Sequence, residues 1–280
     1  MNTAANLVST KGNVDIGSGV SLHYQHYESK GSNPCVVLLH SLAMDHTFWR
    51  LVAPALAAHG PVVCVDVRGH GQSDKPAGPY SISLFANDVA QLVKALGYNQ
   101  VVVAGASMGG CIALQFAIEH PDLACGLGLI DTTAWYGATA PADWSGRADK
   151  ARENGLDSLF EFQATRWFSE AFRTQNADVL RDCMDIFVRN DVEAYAATCN
   201  ALGTFDGRGG LAALDLPTAV VVGEDDQATT PAMAEELHQG IKGSTLTIIP
   251  AVRHLTPLEA PDTIATILLE LARKAKRPSA

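Results

Sequence analysis

Short apolar runs that alternate with helix-forming stretches constrain the fold of this chain more than any other feature. Cys35–His40 (CVVLLH) is apolar throughout, as a strand covered on both faces must be. Val62–Asp66, Gln100–Gly105, Gly126–Ile130, Thr218–Gly223 and Leu246–Pro250 repeat that pattern. Val20–Tyr27 alternates instead, like a strand with one exposed face. Helical stretches lie between them. Ser83–Leu96 sets Leu84, Phe85, Val89, Leu92 and Val93 at helical spacing, and Met108–His120 is small and apolar enough for a buried helix. Met233–Ile241 and Thr263–Lys274 are further helices. Strand–helix alternation of this kind predicts an α/β fold: a mostly parallel central sheet with helices on both faces. The alternation stops between Thr132 and Leu214, where the chain is helical and rich in arginine. Residues 1–131 and 214–280 are therefore expected to form the core, and 132–213 a helical cap over the sheet's C-terminal edge. Open α/β sheets bind ligands at that edge. Lys274–Ala280 is expected to fray.

Composition narrows the function classes. With 280 residues, 47% hydrophobic and 18% charged, the chain suits one globular core. A formal net charge of -10 argues against nucleic acid or an anionic membrane as the main partner. Met1–Lys11 lacks a basic segment followed by an apolar run, and no apolar stretch approaches the ~20 residues of a membrane helix. The six cysteines are scattered without a C-x-x-C, which reads as buried thiols in a reducing compartment; the expected location is cytoplasmic. The nine histidines show no metal-ligand spacing, so neither metal nor cofactor is expected. His23, His26, His59, His120 and His238 read as surface or packing residues.

One junction carries chemistry. Gly105-Ala106-Ser107-Met108-Gly109 is a G-x-S-x-G motif between an apolar strand and a helix. The chain must reverse there while Ser107 takes a strained backbone conformation, and side chains two positions either side would collide. The arrangement exposes the serine Oγ at a helix N-terminus, where the dipole favours negative charge. A serine hydroxyl needs an adjacent base to become a nucleophile. His254 follows the last predicted strand, in a loop that should return to the same sheet edge.

These residues, with Val67-Arg68-Gly69-His70-Gly71-Gln72-Ser73-Asp74 after the Val62–Asp66 strand, resemble the α/β-hydrolase superfamily over nearly the whole chain. The resemblance implies the α/β-hydrolase fold and a triad in the chain order Ser, acid, His. The acid would follow the strand ending at Gly223, where Glu224, Asp225 and Asp226 compete. The loop Gly223–Pro231 resembles the superfamily's acid loop, in which the aspartate precedes x-x-T-P or a near variant; counting back from Thr229, that resemblance implies Asp226, with Asp225 the neighbouring alternative and Asp131 an outside one. The backbone N–H groups of Leu42 and Met108 would form the oxyanion hole. Ser41 stands where many relatives have glycine.

Within the superfamily, three segments are similar to the 3-oxoadipate enol-lactonases: Ser41-Leu42, Arg166–Phe172 and Asp191–Leu202. Ala43 in place of glycine and His40 in place of asparagine depart from that branch. The implied activity is hydrolysis of a small carboxylic ester or lactone through an acyl-enzyme, with an enol-lactone as the finer expectation. A carbon–carbon bond hydrolase, an amide hydrolase, a cofactor-free haloperoxidase and a ligand-binding receptor retaining the triad are the alternatives. Dehalogenases and epoxide hydrolases of this fold use an aspartate nucleophile, and position 107 is serine. Ser41, Trp135, Trp144 and Arg166 are the candidate substrate-binding residues. A substrate bearing carboxylates would draw cationic partners from Arg147, Arg152, Arg166 and Arg173, although arginine most often stays solvated.

Overall fold

A computed structural model of the chain describes residues 8–17 and 19–275. Eight strands form one sheet: β1 (Ser9–Asp15), β2 (Ser21–Tyr27), β3 (Cys35–Leu39), β4 (Val62–Val65), β5 (Val101–Ala106), β6 (Ala124–Ile130), β7 (Thr218–Gly223) and β8 (Thr245–Ile249). Their order is β1-β2-β4-β3-β5-β6-β7-β8. The pairs β1–β2 and β2–β4 are antiparallel, and all later pairs are parallel. Every residue of β3 to β7 is buried. Alternate side chains point to opposite faces of a strand, so uniform burial means that both faces are covered.

The covering helices are α1 (Ala53–Ala57), α2 (Ile82–Ala95), α3 (Met108–Glu119) and, between β6 and β7, α4 (Ala140–Asn154), α5 (Asp157–Trp167), α6 (Glu170–Gln175), α7 (Ala177–Val188) and α8 (Val192–Gly203). After β7 come α9 (Pro231–Gly240), α10 (Thr256–Glu259) and α11 (Pro261–Ala275). Ser81 caps α2 by accepting the Leu84 N–H, and Asp191 caps α8 by accepting the Ala194 N–H. The helix α3 buries residues all round, wedged between sheet and neighbours, as its small apolar sequence requires.

Two elements differ from the sequence reading. Ser9–Asp15 forms an additional exposed edge strand, whose polar sequence carries no core-facing pattern. Leu246–Pro250 has the composition of a covered strand, yet β8 is the other edge, with Ile248 40% exposed. Lys274 and Ala275 belong to α11 rather than to a frayed tail; the rest of that expected tail, 276–280, lies outside the described residues, as do 1–7 of the N-terminal stretch. No helix among the described residues is long and apolar enough to cross a membrane. All six cysteines are buried, and none of them forms a disulfide among the described residues.

Candidate active site

The junction of β5 and α3 holds Ser107 at φ 54°, ψ -116°, a region that L-residues rarely occupy. The flanking glycines make that turn sterically feasible. A Cβ on Gly105 would lie 2.1 Å from the Gly109 carbonyl, and one on Gly109 would lie 2.2 Å from the Leu39 oxygen. The turn is fastened from β6: Ser107 N–H donates to the Ile130 carbonyl (2.9 Å), and the Thr132 hydroxyl donates to the Ser107 carbonyl (2.8 Å).

His254 sits in the loop between β8 and α10 and is almost wholly buried. Its Nδ1 lies 2.8 Å from Asp226 Oδ2, and its Nε2 lies 2.9 Å from Ser107 Oγ. The carboxylate only accepts, so Nδ1 carries the ring proton and Nε2 is left to accept from the serine hydroxyl. Asp226 is buried in the turn after β7, where Oδ1 accepts the Ala228 and Thr229 N–H groups at 2.7 and 3.0 Å. The Thr229 hydroxyl donates to Oδ2 at 2.9 Å. Burial alone would raise this carboxyl's pKa. The adjacent His254, through its charge and hydrogen bond, and the two N–H donors outweigh burial and hold it below the usual carboxylate value. Glu224 and Asp225 are exposed. Of the three competing carboxylates, Asp226 is the one bonded to His254.

Asp131 directly follows β6 with φ 46° and is fully buried, but its partners are the Thr256 N–H (3.0 Å) and hydroxyl (2.7 Å) rather than the imidazole. Burial first, and the charge of Asp226 second, push its pKa well above the ordinary value.

A cavity of about 330 Å³ opens over Ser107 and His254. Ser41, Leu42, Trp144 and Arg166 line it. Trp135 does not: its ring carries the Arg208 guanidinium 3.7 Å from its centroid, and its backbone bridges to Asp206. The expectation that Trp135 binds the substrate is therefore corrected: its ring is engaged by Arg208 and is not part of the cavity lining. Met108 is buried and its side chain is not part of the cavity lining, and no backbone bond among the described residues uses its N–H or that of Leu42. Ser41 does not take a positive φ, so a side chain there is unstrained, whereas Ala43 takes φ 60°, in the left-handed region that favours glycine. Tyr136, Arg147, Gln163, Trp167 and Thr229 also line the cavity and were not singled out as ligand contacts, Arg147 apart. Arg152 instead pairs with Glu193 at 2.9 Å. Tertiary folding also gathers His23, His46 and Asp66, with ligand-capable atoms within 4.8 Å of one another. Linear spacing hid this group because it comes from β2, the loop after β3 and the end of β4. Its members are already engaged, His46 Nδ1 with Asp66 (2.9 Å) and His23 Nδ1 with Asn13 (2.7 Å).

A family model described as alpha/beta hydrolase fold matches residues 34–261. The chain belongs to the α/β-hydrolase family. This α/β-hydrolase is 31% identical over 242 residues to 3-oxoadipate enol-lactonase 2 of Acinetobacter baylyi, covering 86% of the chain and 89% of that protein. It is 30% identical over 236 residues to 3-oxoadipate enol-lactonase 1 of the same organism, covering 84% and 86%. Among solved structures, the enol-lactonase from Burkholderia xenovorans superposes with a TM-score of 0.89 at 32% identity, over 94% of this chain and all of that one. Matches to a fluoroacetate dehalogenase and a soluble epoxide hydrolase each span 38% of this chain. The findings support a hydrolase resembling the ester- and lactone-cleaving relatives.

Proposed function

We propose that this protein is a serine hydrolase that opens a small lactone or cleaves a carboxylic ester, and that an enol-lactone is its best-supported substrate. The carrying observation is the chain of hydrogen bonds from Ser107 Oγ through His254 to Asp226, with Ser107 and His254 lining the cavity. Coverage of most of both chains by enol-lactonase relatives supports the substrate class.

In this reading Ser107 Oγ attacks the carbonyl carbon while its proton passes to His254 Nε2. The oxyanion is received by the N–H groups of Leu42 and Met108, each donor contributing about 3 kcal/mol to the transition state. His254 then protonates the leaving oxygen, which in an enol-lactone departs as an enol that ketonises. Water, deprotonated by the same nitrogen, hydrolyses the acyl-enzyme. Asp226 holds the imidazole tautomer and stabilises the imidazolium. Residues 132–213 act as a cap that contributes Trp144 and Arg166 to the substrate pocket, with Ser41 from the opposite loop. Buried cysteines that form no disulfide among the described residues support a reducing compartment such as the cytoplasm.

The test is turnover of 4-nitrophenyl acetate, γ-lactones and an enol-lactone by wild type and Ser107→Ala. The expected loss in the variant is on the order of 10⁶-fold in kcat. Turnover that survives the substitution would overturn the nucleophile assignment. An enol-lactone no better than the simple ester would overturn the substrate class alone.

A further inference from the structure

The chain turns sharply after β3. Met44 N–H donates to the Ser41 carbonyl at 3.1 Å, with Leu42 and Ala43 between them. Ser41 and Leu42 line the cavity beside Ser107, and no backbone bond among the described residues uses the Leu42 N–H. Ala43, at the third position of this turn, takes φ 60°. A turn whose third residue is left-handed prefers glycine there. An L-residue is disfavoured in that region by a factor of about 5 to 30. Left to itself, the Ser41–Met44 turn would favour other backbone conformations.

Two side chains hold it from opposite directions. On the sheet side, His40 Nε2 accepts the Val67 N–H at 3.2 Å, so Nδ1 carries the proton and donates to the Ser41 carbonyl at 2.8 Å. Burial lowers the His40 pKa and keeps the ring neutral. On the other side stands Asn190, between α7 and α8. Its Nδ2 lies 2.8 Å from the Ala43 carbonyl, and 2.9 and 3.1 Å from the Ile186 and Phe187 carbonyls. Carbonyls only accept, so the nitrogen of the amide, not its oxygen, faces all three. Ile186 and Phe187 belong to the last turn of α7, where the helix no longer supplies partners for its carbonyls. The amide that caps that turn is thereby fixed in orientation, and it reaches across to the strained residue beside Leu42. Asn190 is not among the residues lining the cavity over Ser107.

We propose that Asn190 is a positioning residue: its amide holds Ala43 in the left-handed region and so keeps the Leu42 N–H aimed at the oxyanion. The helices inserted between β6 and β7 then do more than wall the pocket, because one of them sets the geometry of the reacting centre. This rests on the serine-hydrolase reading. An oxyanion donor acts on the transition state more than on the bound substrate. Loss of the amide should therefore lower kcat, leave KM nearly unchanged, and do so by the same factor on an ester and a lactone. The size of the loss is set by the turn's own preference, not by deletion of the donor.

The test is steady-state kinetics on 4-nitrophenyl acetate and γ-butyrolactone. Asn190→Ala, and Asn190→Asp, which keeps the shape and loses the N–H donors, should each lower kcat about 5- to 30-fold. KM should stay within about 2-fold. Arg189→Gln, beside it, removes an exposed guanidinium 3.7 Å from Asp45 and should leave kcat in place. A double-mutant cycle separates positioning from mere support of α7. In the Ala43→Gly background, Asn190→Ala should cost less than about 3-fold, because glycine adopts the turn unaided. An equal cost in both backgrounds, a loss confined to KM, or no loss at all would overturn the proposal. Hydrogen exchange at the Met44 N–H, bonded across the turn, reads the same restraint without turnover. Exchange accelerated by Asn190→Ala sustains it, and unaltered exchange removes it. If wild type shows no Ser107-dependent turnover, the hydrolase reading fails separately, and the exchange decides whether Asn190 holds the turn.

Discussion

Asp225 and Asp226 are adjacent in sequence and opposite in circumstance. Asp226 turns inward and accepts from two N–H groups, a hydroxyl and His254, whereas Asp225 remains in solvent. The resemblance to the superfamily's acid loop pointed to Asp226 by its distance from Thr229, and Thr229 helps to hold the Asp226 carboxylate. Asp226→Asn keeps the shape and removes the charge that holds the imidazole tautomer. It should lower kcat by about 10⁴-fold, as the same exchange does in another serine hydrolase. Asp225→Asn should change kcat less than 3-fold, within the range of an exposed charge. Steady-state kinetics of the pair checks this, and the reverse ranking would move the acid to Asp225. Other residues were less legible for a physical reason. Trp135 and Trp144 look equivalent as letters, and only the helix that carries Trp144, against the Arg208 stack that holds Trp135, separates them. Arg147 could not be told from a solvated surface charge until its Tyr195 and Trp144 contacts were known.

The loop that carries His254 is tied down by elements from both halves of the chain. Leu255 N–H donates to the Trp167 carbonyl (3.1 Å), Arg253 bonds the Thr165 carbonyl, and the Glu259 carboxylate accepts the Ser169 N–H (3.1 Å). From β6, Asp131 accepts both donors of Thr256 and so fixes the start of α10. That tie has a pH signature. Burial, then the charge of Asp226, raise the Asp131 pKa in the folded state, so the fold binds this proton more tightly than the unfolded chain does. A raised carboxyl pKa contributes stability at low pH that is lost as pH rises above the unfolded value of about 3.9 toward the folded one. Asp131→Asn removes the titration while keeping an oxygen for both Thr256 donors. The melting temperature of the variant relative to wild type should therefore rise from pH 4 to pH 8. Thermal melts across that interval check it. A difference that stays constant, or shifts toward acid, would show that Asp131 does not carry a perturbed proton.

Across the whole molecule, legibility followed burial. The strands β3 to β7 were readable because cover on both faces demands uninterrupted apolar sequence. The strand β1 was not, because an exposed edge paired on one side imposes no such demand. Helices between β6 and β7 were evident as a class but not as individual elements, since α6 buries none of its residues and α4 carries little apolar periodicity. The cysteines sample both parts: Cys35, Cys64, Cys111 and Cys125 lie in the sheet and its first helices, and Cys183 and Cys199 in the helices between β6 and β7. All are buried, and burial pushes Cys35 and Cys183 up to about 12 and Cys199 up to about 11. The thiolate is the reactive form, so a disulfide reagent such as Ellman's should label none of the six rapidly in the native protein. Under mild denaturant the order of labelling reports which part opens first. The helices between β6 and β7 expose more of their residues than β3 to β7 do, so Cys183 and Cys199 should become reactive before the other four. Simultaneous labelling of all six, mapped by mass spectrometry, would instead mean that insertion and sheet unfold as one cooperative unit. The bonds from Trp167 and Thr165 to the His254 loop would then couple the substrate pocket to the stability of the entire fold.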